Sequence, residues 1–140
     1  MTLPFPSPEW VAAYVTAINA SGAYRQAATG WTHGPVALVV NARPEIGLAD
    51  AVGIWLDLER GECRAAKMVS LEEAKQAPFV LSSDYARWKQ ILRRELGPIA
   101  GIMQRKVALQ GSLAIMVRFL RAAELLVEAA TTVPTRFLDE

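Results

Sequence analysis

Two periods of apolar spacing alternate along this chain and divide it into helices and strands. Trp10, Val11, Tyr14, Val15 and Ile18 recur at intervals of three and four, which sets them on one face of a helix. Ser7, Pro8 and Glu9 give that helix its start: a capping hydroxyl, a proline where the first turn needs no N–H, and an acid at the positive end of the dipole. Ser21 and Gly22 stop or kink it, and a second short helix is expected from Ala23 to Ala28, closing at Gly30. The period then shortens. Val36, Val39 and Val40 with Leu38 form a β-branched run bounded by Gly34 and Pro44, which reads as a strand. From Val52 to Glu59, Ile54, Leu56 and Leu58 alternate with Trp55, Asp57 and Glu59, the pattern of a half-buried antiparallel strand. Arg60-Gly61 suits a hairpin turn with glycine at positive φ, and Glu62 to Val69 is the returning strand. Ser70 and Glu73 make a capping box for a short helix, and Pro78 to Leu81 reads as a fourth strand.

Asp84 is placed to cap a helix with Tyr85, Trp88, Ile91, Leu92 and Leu96 inward and Arg87, Gln90 and Arg94 outward. Gly97-Pro98 breaks it; Ile99, Ile102 and Met103 mark another helical segment, and Val107 to Gln110 a brief last strand. Gly111-Ser112 then turns the chain into one long C-terminal helix, Ser112 to Ala130. Its charges, Arg118, Arg121, Glu124 and Glu128, make one thin stripe, while Leu113, Ile115, Met116, Val117, Phe119, Leu120, Leu125, Leu126 and Val127 occupy the other bearings. A helix docked on a core needs an apolar arc of only about 100°. This one must be covered on several sides, or cover something apolar that is not protein. The expected fold is α+β, with helices over one face of a mainly antiparallel sheet. We expect one domain over residues 1–140: a helical start at 7–30, a body of sheet and helices at 34–130, and a short tail at 131–140.

Composition narrows the class. At 140 residues the chain can bury about two-thirds of its unfolded surface. With 52% hydrophobic and 21% charged residues it is not disordered. The net charge of +1 hides an uneven distribution. Arg87, Lys89, Arg93, Arg94, Arg105, Lys106, Arg118 and Arg121 face a single acid, Glu95, in their stretch, whereas Glu45 to Glu73 holds seven acids and three bases. Two solvated faces account for this, as does a basic rim that meets an anionic head group, lipid surface or acidic partner. The single cysteine, Cys63, permits no internal disulfide and no cysteine zinc site. The N-terminus lacks the basic start and apolar run of a signal peptide, and Arg118 and Arg121 interrupt the longest apolar run, so a cytoplasmic protein is expected.

Candidate chemistry is sparse. His33, the only histidine, has no nucleophile elbow or ligand pair near it and reads as a structural or surface residue. Cys63 reads as a small packed side chain on a strand. Asp57 and Glu59 share a strand face about 7 Å apart, a spacing open to acid–base work but equally to solvated alternation at a sheet edge. Glycines occur singly, so no phosphate cradle is present. The basic stretch lacks stacked aromatics, and a pI of about 7.9 is low for a nucleic-acid module. No set of residues resembles an active site; the expectation is a binding protein, not an enzyme, with no cofactor, metal or nucleic acid.

What remains is surplus hydrophobicity on three helical segments: Trp88, Ile91 and Leu92; Ile99, Ile102 and Met103; Leu113, Met116, Val117 and Leu120. An ordinary core satisfies them, and so does a cavity that accepts an acyl chain or ring system. The hairpin Val52–Val69, the segment Phe79–Glu95, the Gly97-Pro98 break and the run from Lys106 through Gly111 to Leu113 resemble the sterol carrier protein 2 (SCP2-type) domain family. Gly111 matches the turn that leads the family's last strand into a helix closing an apolar tunnel. Ser112 stands where an aspartate is frequent, and either residue caps a helix. The resemblance spans roughly Gly22 to Ala130 and fits a stand-alone bacterial-type member, since the chain does not end in a peroxisomal signal. It implies a five-stranded sheet and non-covalent binding of an elongated apolar lipid, such as a fatty acid, fatty acyl-CoA or sterol, between sheet and C-terminal helices. The candidate lipid-binding residues are Trp88, Leu92, Ile99, Ile102, Met103, Leu113, Met116, Val117 and Leu120. Implied partners are the lipid and, transiently, an anionic membrane surface or a lipid-metabolising enzyme. The alternative is an accessory subunit that presents a lipid or an apolar surface to a partner.

Overall fold

The Ser7 hydroxyl accepts the backbone N–H of Trp10 at 3.1 Å and starts α1 (Pro8–Ala20) in the computed structural model, which describes residues 1–140. Ser21 caps α2 (Gly22–Ala27) the same way, accepting the N–H of Tyr24 at 3.1 Å. The main sheet contains β2 (Val36–Val40), β3 (Val52–Glu59), β4 (Glu62–Ser70), β5 (Phe79–Ser83) and β6 (Ala108–Gln110) in the order β4-β3-β2-β5-β6. All neighbours are antiparallel except β2 and β5. This is the expected α+β architecture with five mainly antiparallel strands.

Two glycines hold the turns. At the β3–β4 hairpin Arg60 and Gly61 have φ of 50° and 87°, and a Cβ on Gly61 would stand 2.4 Å from the Arg25 carbonyl oxygen. Both the positive φ and the close approach exclude other residues there. Gly111, at φ 126°, would put a Cβ 2.7 Å from the Pro78 carbonyl oxygen. The chain can leave β6 and turn toward the C-terminal helices only because that atom is absent.

The central strand is apolar on both faces because both are covered. Val36 and Val40 join the large core with Ile54, Leu56 and Leu58 of β3 and Phe79 and Leu81 of β5, beneath α1, α2 and the later helices. Ala37, Val39 and Val80 join a smaller cluster closed by Ala74 of α3 (Leu71–Ala74). The opposite sheet face is therefore partly roofed as well. Ser70 caps α3 by accepting the Glu73 N–H at 3.2 Å, while the Glu73 carboxylate pairs with Lys67 at 3.0 Å. Asp84 precedes α4 (Tyr85–Leu92) without a capping bond; its carboxylate accepts from Asn41 Nδ2 at 3.0 Å.

The long C-terminal helix expected from periodicity is two helices. After α5 (Pro98–Met103) and β6, α6 (Leu113–Arg118) ends at Phe119, whose φ of −102° and ψ of 29° leave the helical region, and α7 (Leu120–Thr131) follows. The Phe119 ring packs edge-on against Trp31 and His33, with centroids 5.1 and 5.7 Å away. That tertiary contact breaks a stretch whose spacing is helical throughout. The last residues are tied into the fold. Thr135–Phe137 forms β7, paired in parallel with β1 (Leu3–Phe5). The Tyr85 hydroxyl donates to the Phe5 carbonyl at 2.7 Å and accepts the Leu138 N–H at 2.9 Å. Asp139 and Glu140 both bind Lys89, and Arg93 also pairs with Glu140. These cations hold both carboxyls below their ordinary range and the carboxylates hold Lys89 above its own.

Candidate functional site

Between the helical layer and the sheet lies a cavity of about 90 Å³, and 17 of its 18 lining residues are hydrophobic. Leu38, Leu56, Leu58 and Leu81 form its floor on the sheet, each projecting from the face that strand alternation assigns to the core. Tyr14, Tyr24 and Trp31 close one side; Trp88 and Ile91 of α4 and Pro98 of α5 close another. Met116, Phe119, Ala122, Ala123, Leu126 and Val127 form the wall along α6 and α7. A second cavity of about 40 Å³ is bordered only by hydrophobic residues and shares Tyr14, Leu38, Trp88, Ile91 and Val127 with the first. The two cavities adjoin at those five side chains, a larger and a smaller lobe of apolar space. Phe5, Trp10 and Leu92 border the smaller cavity. No charged side chain borders either.

The nine residues singled out from sequence scatter. Trp88 and Met116 border the larger lobe, and Trp88 and Leu92 the smaller. Ile99 is buried in the core. Ile102 and Leu113 border a separate open groove of about 440 Å³ together with Arg105. Met103, Val117 and Leu120 are 63%, 47% and 41% exposed, and Leu113 is 40% exposed. The wide apolar arc thus divides: Met116 faces the larger cavity, while Leu113, Val117 and Leu120 face solvent. Sequence reasoning did not single out Tyr14, Tyr24, Trp31, Phe119, Leu126 or the leucines of the floor as site residues. The strand alternation of Leu56 and Leu58 was a usable signal for the floor; nothing local distinguishes Tyr24 from another core aromatic.

The chemical candidates are accounted for by packing and pairing. His33 stacks edge-on with Trp31 at 5.1 Å. Burial pushes the Cys63 thiol up to about 11, and the side chain of Asn19 brackets its backbone with two 2.9 Å hydrogen bonds. Asp57 pairs with Arg64 at 3.0 Å and Glu59 with Arg60 at 3.6 Å, so each carboxylate has its own cation. No three His, Cys, Asp or Glu side chains converge as metal ligands would. The basic stretch divides too. Lys89 and Arg93 are held by the C-terminal carboxylates, whereas Arg94, Arg105, Lys106, Arg118 and Arg121 have no acidic partner within 4.0 Å, and Arg118 and Arg121 do not pair along the helix with Glu124 and Glu128. No helix is long and apolar enough to cross a membrane.

The family resemblance implies a site between a five-stranded sheet and C-terminal helices, and the larger cavity lies there. The sequence pattern of the SCP-2 sterol transfer family matches residues 17–124. The chain belongs to that family. A crystal structure of sterol carrier protein 2 is 37% identical, with a TM-score of 0.84 over 91% of this chain and 97% of that one. A solution structure from Thermus thermophilus, of a conserved hypothetical protein suggested to be a sterol carrier protein, is 36% identical. Its TM-score is also 0.84, over 93% of this SCP2-family chain and 90% of its own. The SCP2 domain of the ubiquinone synthesis protein UbiJ shares the fold at 17% identity, with a TM-score of 0.53 over 89% of this chain and 95% of that one. No curated protein is significantly similar in sequence.

Proposed function

We propose that this SCP2-family protein binds an elongated apolar lipid without covalent chemistry and carries it between membranes or to an enzyme. One observation supports this above all: the two adjoining cavities are lined almost wholly by hydrophobic side chains and by no charge. Each ligand CH₂ buried there contributes about 0.8 kcal/mol before the cost of association. The lobes, at about 90 and 40 Å³, are smaller than the roughly 300 Å³ at which small-molecule sites begin. A lipid must therefore widen and join the two cavities. The wall that can yield is α6 with Phe119, since α6 is short, ends at a break and packs closely on little besides α7. Met116 and Phe119 are the contacts that would move; Trp88, Leu92 and the floor leucines would hold the chain. Native mass spectrometry of the purified protein and of its organic extract tests the proposal. A long-chain lipid at a substantial fraction of one per chain is expected; an empty protein that takes up no fluorescent fatty acid or sterol would end it.

A second reading, an accessory role at a membrane or enzyme surface, draws on the outer face. Met103, Leu113, Val117 and Leu120 are exposed, and the unpaired Arg105, Lys106, Arg118 and Arg121 are their sequence neighbours. From Leu96 to Ala123 there is no acid at all. Exposed apolar side chains among free cations suit the interface of an anionic membrane, where each basic residue contributes about 1 kcal/mol. The two readings are compatible, because a carrier must dock to exchange its cargo.

A further inference from the structure

Every polar side-chain group bordering the two cavities is taken up by the protein except one. The Tyr14 hydroxyl donates to the Leu126 carbonyl at 2.9 Å, and the Trp31 and Trp88 indoles donate to the Gly34 and Val39 carbonyls at 2.9 and 2.8 Å. Trp10, beside the smaller cavity, donates to the Thr135 hydroxyl at 2.9 Å. Tyr24 is 2% exposed, and its backbone N–H is held by Ser21, yet its own hydroxyl makes no hydrogen bond within the protein. No side-chain oxygen in the molecule is both sealed away and unpartnered. The Tyr24 oxygen therefore keeps access to open space, and Tyr24 borders the larger cavity.

We infer that Tyr24 is the head-group contact of the larger cavity and that the ligand is an elongated apolar molecule ending in one uncharged oxygen, an alcohol or ketone and not a carboxylate. This inference rests on the lipid-binding reading and narrows it. A neutral phenol both donates and accepts, so it serves a hydroxyl or a carbonyl alike. Burial, with a smaller contribution from nearby Cys63, pushes the phenol above its ordinary value and keeps it neutral at physiological pH. An ionised carboxylate would enter a space with no cation on its wall, and a single phenol does not offset the cost of burying that charge. A pure hydrocarbon would leave the hydroxyl without a partner. An alcohol meets neither penalty. Free fatty acids would bind chiefly in their protonated form.

The test titrates the full-length protein and its Tyr24→Phe variant by displacement of diphenylhexatriene, a hydrocarbon probe, with hexadecanol or palmitate. At about pH 8, where a carboxylic acid is ionised, the wild type should bind the alcohol at least about tenfold more tightly than the carboxylate, a gap of about 1.4 kcal/mol. The gap should close as pH falls through the carboxyl titration. Measured against its own affinity for diphenylhexatriene, Tyr24→Phe should lose about tenfold for hexadecanol. Undiminished hexadecanol binding by the variant, or a wild type that prefers palmitate at that pH, would overturn the head-group role while leaving lipid binding intact. If the variant cannot bind even the hydrocarbon probe, the wild-type contrast between alcohol and carboxylate decides alone. A wild type that binds none of the three removes the lipid-binding reading, and this inference with it.

Discussion

Helices α6 and α7 adjoin each other, are similarly rich in apolar residues, and meet opposite fates. Along α7, Ala122, Leu125, Ala129 and Ala130 are buried, and Ala123, Leu126 and Val127 line the larger cavity. Along α6 only Met116 is buried, and Leu113 and Val117 stand in solvent. The difference follows from what holds each helix. Beyond α7 the chain runs into β7, which pairs with β1, and into the ion pairs of Asp139 and Glu140 with Lys89. Between the three-residue strand β6 and the break at Phe119, α6 has no comparable anchor. Hydrophobic content marks a segment that must meet something apolar. Anchoring decides whether that is the protein's own core or something brought from outside.

The contrast can be broken most sharply through stability. Leu125→Ala opens a hole in the packed interior of α7 and should lower unfolding free energy by about 2–5 kcal/mol in denaturant titrations. Val117→Ala, on the exposed side of α6, should stay within about 0.5 kcal/mol. Equal losses would mean that both helices are ordinary core.

Ligand uptake sharpens it next. Met116→Trp places an indole where the wall of the larger lobe now stands, and should reduce uptake of a fluorescent lipid by about tenfold, or about 1.4 kcal/mol. Leu120→Trp, on the outer side of the break, should leave uptake unchanged. If both variants instead lose stability by the roughly 1–3 kcal/mol typical of overpacking and no ligand binds to either, the lobes are packing defects.

The smallest effect concerns the outer surface of α6 and its flanks. Charge reversal at Arg105 and Arg118 should slow lipid exchange with anionic vesicles, each contributing about 1 kcal/mol to surface affinity. Added salt should weaken that association, since exposed charges are screened beyond about 8 Å at physiological ionic strength. Exchange that ignores both salt and these reversals would show the basic stretch to be a solvated face only.

Much of the fold was legible because its signals are local. Ser7, Ser21, Ser70 and Ser112 each accept a backbone N–H three residues on, and a hydroxyl before a helical period is enough to foresee three of these caps. The hairpin at Arg60-Gly61 and the inward face of Ile54, Leu56 and Leu58 likewise depend on neighbours in sequence. The site was less legible. Trp88, Leu92 and Met116 border the two cavities, but Leu113, Val117 and Leu120 share their helical spacing and do not. Periodicity says which residues share a face and is silent on what that face meets.

By itself, the sequence determined the class of the fold, its turns and caps, the family, and the excess of apolar side chains that makes a lipid site reasonable. Those properties arise from interactions within a few residues, or from totals that no arrangement changes. Tertiary structure alone decided the break at Phe119, the pairing of β1 with β7, the division of the apolar arc between cavity and solvent, and the isolation of the Tyr24 hydroxyl. Each depends on contacts between residues far apart in the chain: Phe119 with Trp31, Leu3 with Thr135, Tyr14 with Leu126. A hydroxyl lacks a partner only when the whole enclosure around it is known, and no local pattern of residues records that enclosure.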